Sequence, residues 1–247
     1  MASSVLLDLS SEQIEPPRTL HAPLYDRIRG MILDGRLTPG SRIDEEAFSK
    51  ALRVSRTPLR EALHRLDHEG LATIWPRRGA FVADFTKAEI LQLLELREGL
   101  EGFATRLASM RATAATIERF QELMNPAQLR DLSGHNPKQL AHIDRTFHEL
   151  VYEATGNRKL IDASRRINDQ VHLVRLTTTL LSDRRTKSIE EISEIIAAIK
   201  RRDSDKAERL ARQHVRGAAA AVEKDFPDDA TLSVVARRNA TIEGNEE

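Results

Sequence analysis

Val54-Ser55-Arg56-Thr57-Pro58-Leu59-Arg60-Glu61-Ala62-Leu63-His64-Arg65-Leu66 decides how the first third of this chain folds. Leu59, Ala62, Leu63 and Leu66 recur at i, i+3, i+4 and i+7, so one helical face is apolar and seeks a core. Arg56, Arg60 and His64 fall at i, i+4 and i+8 on another face. Ser55 is placed to cap the helix, Pro58 lies in its first turn where a missing N–H costs little, and Gly70 is placed to stop it. Upstream, Asp44 caps a shorter helix with Ala47, Phe48, Ala51 and Leu52 on one side. Before that, Leu24, Ile28, Ile32 and Leu33 mark a helix closed by Asp34-Gly35, and Pro39-Gly40 turns the chain. Downstream, Leu71–Trp75 and Ala80-Phe81-Val82 flank Pro76-Arg77-Arg78-Gly79, which predicts a short hairpin with a basic tip.

From Lys50 to Arg78 there are seven Lys or Arg against three acids, a local excess of +4 in a chain with no net charge. Two short helices joined by a tight turn and followed by a basic hairpin describe a winged helix-turn-helix. In that arrangement Arg56 and Arg60 reach guanine edges, while Ser55 and Thr57 meet phosphates at the helix start. Arg78 and Gly79, with Arg77, form the wing tip against the DNA backbone or minor groove. The alternative is an ordinary solvated charged face. The cap, spacing, turn and basic wing together favour the DNA reading.

The rest of the 247 residues is built differently. Hydrophobic residues make up 40% and charged residues 31%, which excludes global disorder, and 38 basic residues balance 38 acidic ones, which excludes a globally basic coating protein. Cys is absent, which excludes disulfide scaffolds, Cys-ligated metals and thiol catalysis. No apolar run is long enough to span a bilayer, and the start of the chain has no signal-peptide pattern. The expected class is mostly α: a mobile arm at 1–19, a winged helix-turn-helix at 20–85, an all-helical bundle at 86–224 and a fraying tail at 225–247. Six bundle helices are expected. The first opens at the capping box Thr86-x-x-Glu89, the third is capped by Asn136, and the fifth opens at a second box, Ser188-x-x-Glu191.

Within the bundle, Asp144 and His148 lie at i, i+4, a spacing that lets two side chains share a metal. They flank the apolar stripe Ile143, Phe147 and Leu150. His214 falls with Ala207, Leu210, Ala211 and Ala218, and so points inward. Arg97 falls among Ile90, Leu93, Leu94, Leu100 and Ala104, also inward, where it requires an anion. That anion is either Glu101 at i+4 or a bound ligand. An Asp–His pair is also compatible with a plain hydrogen bond, and an inward His with a satisfied core residue.

The stretches Leu24–Arg29, Ile32–Gly40, Val54–Leu71 and Pro76–Val82 resemble the GntR family of bacterial transcription regulators. The resemblance implies DNA contact by Ser55, Arg56, Thr57, Arg60, Arg78 and Gly79. Arg53 stands where that family usually has Gly, in a turn that favours the left-handed region. Leu96–Glu101, Asp144–Leu150 with Thr155-Gly156-Asn157, and Ala198–Ala207 with His214-Val215 resemble the ligand-binding FCD domain of the FadR subfamily, in its six-helix, VanR-like branch. That likeness implies a small carboxylate effector, and a divalent metal held by one Asp and three His. Asp144, His148 and His214 match three of those positions, whereas Ile192 stands where the third His belongs. Three protein ligands still suit Zn²⁺ or Ni²⁺. Arg97 is then the expected contact for an effector carboxylate, with His172 and Arg175 as further pocket residues. The expectation is a cytoplasmic, homodimeric repressor on a palindromic operator. The alternatives are a metal-dependent enzyme using Asp144, His148 and His214, or an architectural DNA binder with no effector.

Overall fold

The computed structural model describes residues 21–125, 137–178 and 184–235. The expected arm at 1–19, the Asn136 cap and the end of the chain beyond 235 lie outside the described residues.

Helix α1 (His21–Leu33) buries Leu24, Ile28, Ile32 and Leu33 along one side and ends at Gly35, φ 74°. Strand β1 (Arg42–Ile43) follows, then α2 (Glu45–Leu52). The Asp44 carboxylate accepts from the Glu46 and Ala47 N–H groups, satisfying donors at the helix start that have no partner within the helix. Arg53 ends α2 in the left-handed region, φ 53° and ψ 42°, as the turn requires. Helix α3 (Arg56–His68) seats Leu59, Ala62, Leu63 and Leu66 in the core. Ser55 precedes it in extended backbone, but its side chain makes no capping bond. Gly70 (φ 71°) then turns the chain into β2 (Ala72–Trp75), and β3 (Gly79–Val82) returns antiparallel to it.

The hairpin gains a third strand that the sequence reading did not foresee. β1 pairs with β3, Ile43 opposite Ala80, giving the order β1-β3-β2. Two residues carry too little periodicity to announce a strand.

The body has six helices among the described residues: α4 (Lys87–Arg111), α5 (Ala114–Leu123), α6 (Pro137–Ala154), α7 (Arg158–Thr178), α8 (Arg184–Lys200) and α9 (Ser204–Asp225). The Thr86–Glu89 capping box forms in full at the start of α4. The second expected box does not open a helix: α8 already begins at Arg184, so Ser188 is interior.

Two apolar cores result. One, around Phe120, Phe147, Leu150, Ile192, Ile195 and Ile199, belongs to the body alone. The other joins the head to the body. It contains Ile28, Leu63 and Val82 from the head, Val171 and Val174 from α7, and Val215 and Val222 from α9.

That second core corrects the expectation of fraying after residue 224. Phe226, Ala230, Leu232 and Val235 are buried in it. The Asp84 carboxylate accepts hydrogen bonds from the Thr231 hydroxyl and from the Ser233 hydroxyl and N–H, at 2.8, 2.8 and 2.9 Å. Leu232 N–H donates to the Phe85 carbonyl. Residues 232–235 are helical, too short a stretch to announce itself by period. The segment is a strap over the linker between head and body.

Candidate functional site

The exposed site lies on the head. The α3 packing that buries Leu59 and Leu63 leaves Arg56, Thr57 and Arg60 exposed at its N-terminal end, with Ser55 just before it. Arg77 and Arg78 are exposed at the hairpin tip, where Arg77 (φ 64°) and Gly79 (φ 98°) make the reversal. A recess of about 460 Å³ runs between α3 and the sheet, and Arg60, His64, Trp75, Arg78 and Gly79 line it. Of the residues singled out for DNA contact, Arg60, Arg78 and Gly79 therefore line one recess, and Ser55, Arg56 and Thr57 are exposed at the start of the same helix.

Two further lining residues were missed, Arg42 and Glu45. Arg42 sits on the unforeseen strand β1, over Gly79, where a Cβ would lie 3.7 Å from its side chain. Glu45, in the first turn of α2, accepts from Arg60 Nε at 3.0 Å. The exposed Arg60 head is thus paired with a carboxylate from the neighbouring helix.

The buried site is assembled in the body. Helix α4 supplies Arg97 and Glu101, α6 supplies Asp144 and His148, and α9 supplies His214. All five are buried. Arg97 Nε donates to Glu101 Oε2 at 2.8 Å, so the anion Arg97 requires is Glu101. The other carboxylate oxygen of Glu101 lies 2.8 Å from His148 Nδ1, yet the atoms are out of line and neither has a hydrogen bond. His148 Nε2 is 3.5 Å from Asp144 Oδ2, and His214 Nε2 is 3.9 Å from Asp144 Oδ1. His214 Nδ1 lies 2.8 Å from Glu191 Oε2. Arg175 meets Asp144.

The structure thus brings His148 and His214 together with Glu101, while Asp144 stands 3.5 and 3.9 Å from the two imidazoles. Donor atoms of Glu101, His148 and His214 lie within 4.8 Å of one another. Ile192 is fully buried in the apolar core of the body and offers no ligand. Glu101 was legible in sequence only as Arg97's partner; its approach to His148 depends on the docking of α4 against α6.

The protonation states suit a cation. Burial alone would push the Glu101 carboxyl up, but Arg97, followed by His148 and His214, holds it well below the usual carboxylate range. Burial is the main force keeping His148 neutral, with Arg97 adding to it. Burial also brings His214 down to about 4, against the pull of Glu191. Neutral imidazoles beside ionised carboxylates are a donor set for a divalent metal, and a buried carboxylate oxygen with no hydrogen bond is expensive unless something binds it.

A small cavity of about 30 Å³ adjoins this cluster. Arg97, Arg145, His148, Asn168, His172 and Arg175 line it. The three residues expected to meet an effector, Arg97, His172 and Arg175, thus face one space, although they come from α4 and α7. His172 Nε2 also lies 3.0 Å from the Leu33 carbonyl of the head, a contact the sequence did not announce.

Residues 20–82 match the family described as bacterial regulatory proteins, gntR family, and residues 92–217 match the FCD domain. The chain is 25% identical to the uncharacterized HTH-type transcriptional regulator YdhC of Bacillus subtilis, over 82% of this chain and 89% of that protein. It is 23% identical to the HTH-type transcriptional repressor RspR of Escherichia coli, over 83% and 89% of the two chains. Among solved structures, E. coli McbR/YncC superposes with a TM-score of 0.71 at 20% identity, covering 83% of this chain and 98% of that one; this likeness concerns the fold. The gntR family and the two named relatives are transcription regulators and not enzymes, which removes the metal-dependent enzyme from the alternatives. A winged head with a basic reading face, set on an FCD body, places the chain in the GntR family of bacterial transcription regulators.

Proposed function

We propose that this regulator is a cytoplasmic, homodimeric repressor that reads a palindromic operator and is controlled by a small carboxylate seated in the cavity of its body. The observation that carries the reading is the cavity itself: a small space lined by several cationic side chains and bordered by a buried His–carboxylate cluster. A plain architectural binder has no use for such a costly interior. Repression is the sign suggested by a relative that bears the name repressor.

In this reading Arg56 and Arg60 specify bases, Ser55 and Thr57 hold phosphates, and Arg78 and Gly79 bring the wing to the backbone. Two heads on a dimer read two half-sites related by the same two-fold axis. His148, His214, Glu101 and Asp144 fit a divalent metal such as Zn²⁺ or Ni²⁺, which when bound supplies a Lewis acid for a carboxylate. Arg97, neutralised at Nε by Glu101, and Arg175, engaged with Asp144, orient the ligand at the cavity rim.

The test joins metal content to DNA binding. Operator DNA is selected from a randomised pool with the purified protein. Its affinity is then measured with and without a panel of small carboxylates, and metal per chain is determined by mass spectrometry for wild type, Asp144→Ala and His214→Ala. About one metal per chain, lost in both variants, together with a carboxylate that lowers operator affinity, supports the reading. Operator affinity indifferent to every carboxylate, metal-loaded or metal-free, overturns effector control.

A further inference from the structure

One turn of α7 serves two neighbours at once. Residues Asn168, Asp169, Val171 and His172 line the cavity. From the same turn, Asp169 accepts a two-pronged ion pair from Arg29 of α1, with Nε to Oδ2 at 2.8 Å and a terminal nitrogen to Oδ1 at 2.5 Å. Gln170 donates from Nε2 to the Glu69 carbonyl at the end of α3, at 2.8 Å. Its approach depends on Gly70, where any Cβ would lie 2.3 Å from the Gln170 amide nitrogen. His172 Nε2 lies 3.0 Å from the Leu33 carbonyl at the end of α1. Asp169 and His172 therefore face the cavity and hold the head with the same side chains.

We infer that residues 168–172 are the coupling element through which an anion in the cavity loosens the seat of the head on the body. This rests on the proposed occupancy of the cavity by a carboxylate and adds the route by which it acts. The route follows from charge. A second anion beside Asp169 is repelled by that carboxylate and competes with it for cations. The Asp169–Arg29 pair is already under load, because burial pushes the Asp169 carboxyl up while Arg29 pulls it down. An anion also offers His172 a stronger partner than a neutral carbonyl, turning the ring away from Leu33. Arg29 and Leu33 sit on α1, and Glu69 closes the helix that presents Arg56 and Arg60. Weakening these bonds therefore frees the reading helix without altering any residue on its DNA face.

Asn168 gives a ligand-independent handle. Asn168 lines this space and its buried Oδ1 has no hydrogen-bond partner, so Asn168→Asp adds a carboxylate at the cavity wall with almost no change of shape. Amide hydrogen exchange is measured on the full chain for wild type, Asn168→Asp, Asp169→Asn and Gln170→Ala, and for wild type in millimolar citrate. Thermal shift reports independently whether citrate binds. The expected result is at least tenfold faster exchange in residues 29–34 and 65–71 for all three variants, with unchanged protection around Phe120 and Ile195 in the other core. Citrate that raises the melting temperature is expected to do the same.

Two results overturn the coupling: unchanged exchange at the head in Asn168→Asp, or citrate binding without any change there. Uniformly faster exchange through both cores also overturns it, since that reports general destabilisation. If citrate and other carboxylates never shift the melting temperature, the carboxylate reading fails, while the variants still decide the coupling.

Discussion

The head and the body solve opposite problems with charge. The head must grip a polyanion, so it keeps a small apolar core and puts its guanidinium groups on the surface, where Arg56, Arg77 and Arg78 are exposed. The body does the reverse and draws Arg97, Glu101, His148 and His214 inside. Surface charge costs the fold little and is readable as a charged helical face. Buried charge is stable only as a set, and the set is completed by helix packing rather than by spacing along one helix.

The largest test of this contrast removes one member of the buried set. Glu101→Ala leaves Arg97 buried without its anion and is expected to cost about 3–5 kcal/mol in urea unfolding. A loss below about 1 kcal/mol would show that the cluster is not mutually dependent. Ile192→His sharpens the same point from the other side. It places a polar ring in the apolar core and is expected to cost about 1–3 kcal/mol without metal. Zn²⁺ should then raise its melting temperature by more than it raises that of wild type. An equal response to Zn²⁺ would mean that position 192 does not face the donor atoms.

On the head, Arg56→Ala and Arg60→Ala are each expected to cost about 1–3 kcal/mol of operator binding while leaving stability almost unchanged. Arg78→Ala should weaken all DNA sequences alike and lower the salt slope by about one. A loss confined to one base position would contradict the backbone role of Arg78. The smallest effect belongs to the turn. Arg53→Gly removes a side chain from the left-handed region and is expected to stabilise the head by about 0.5–1 kcal/mol. A destabilised variant would show that the Arg53 side chain makes up for the strain of its backbone.

The same contrast sets what sequence could foretell. The α3 stripe, the Asp44 cap, the Thr86–Glu89 box and the hairpin with its basic tip are each written in a few adjacent residues, and all are present. So is the inward aim of Arg97 and His214, which helical periodicity alone predicts. Glu101 as a neighbour of His148 was not legible, because it needs two helices to meet. Glu45 holding Arg60 was not, because fifteen residues separate them. The strap at 226–235 is too short for a period to stand out; its order comes from Asp84 and from a core supplied mainly by the other end of the chain.

That strap has a consequence for when the protein can work. The winged unit precedes the body in the chain, so it leaves the ribosome before the body does. Its core is nevertheless completed by Phe226, Leu232 and Val235, and Asp84 finds its Thr231 partner 147 residues later. Contacts this distant form late and slowly. The head therefore reaches its final seat only after residues 226–235 have been made, and a chain broken off before residue 226 would carry every residue proposed to face DNA on an unfinished support.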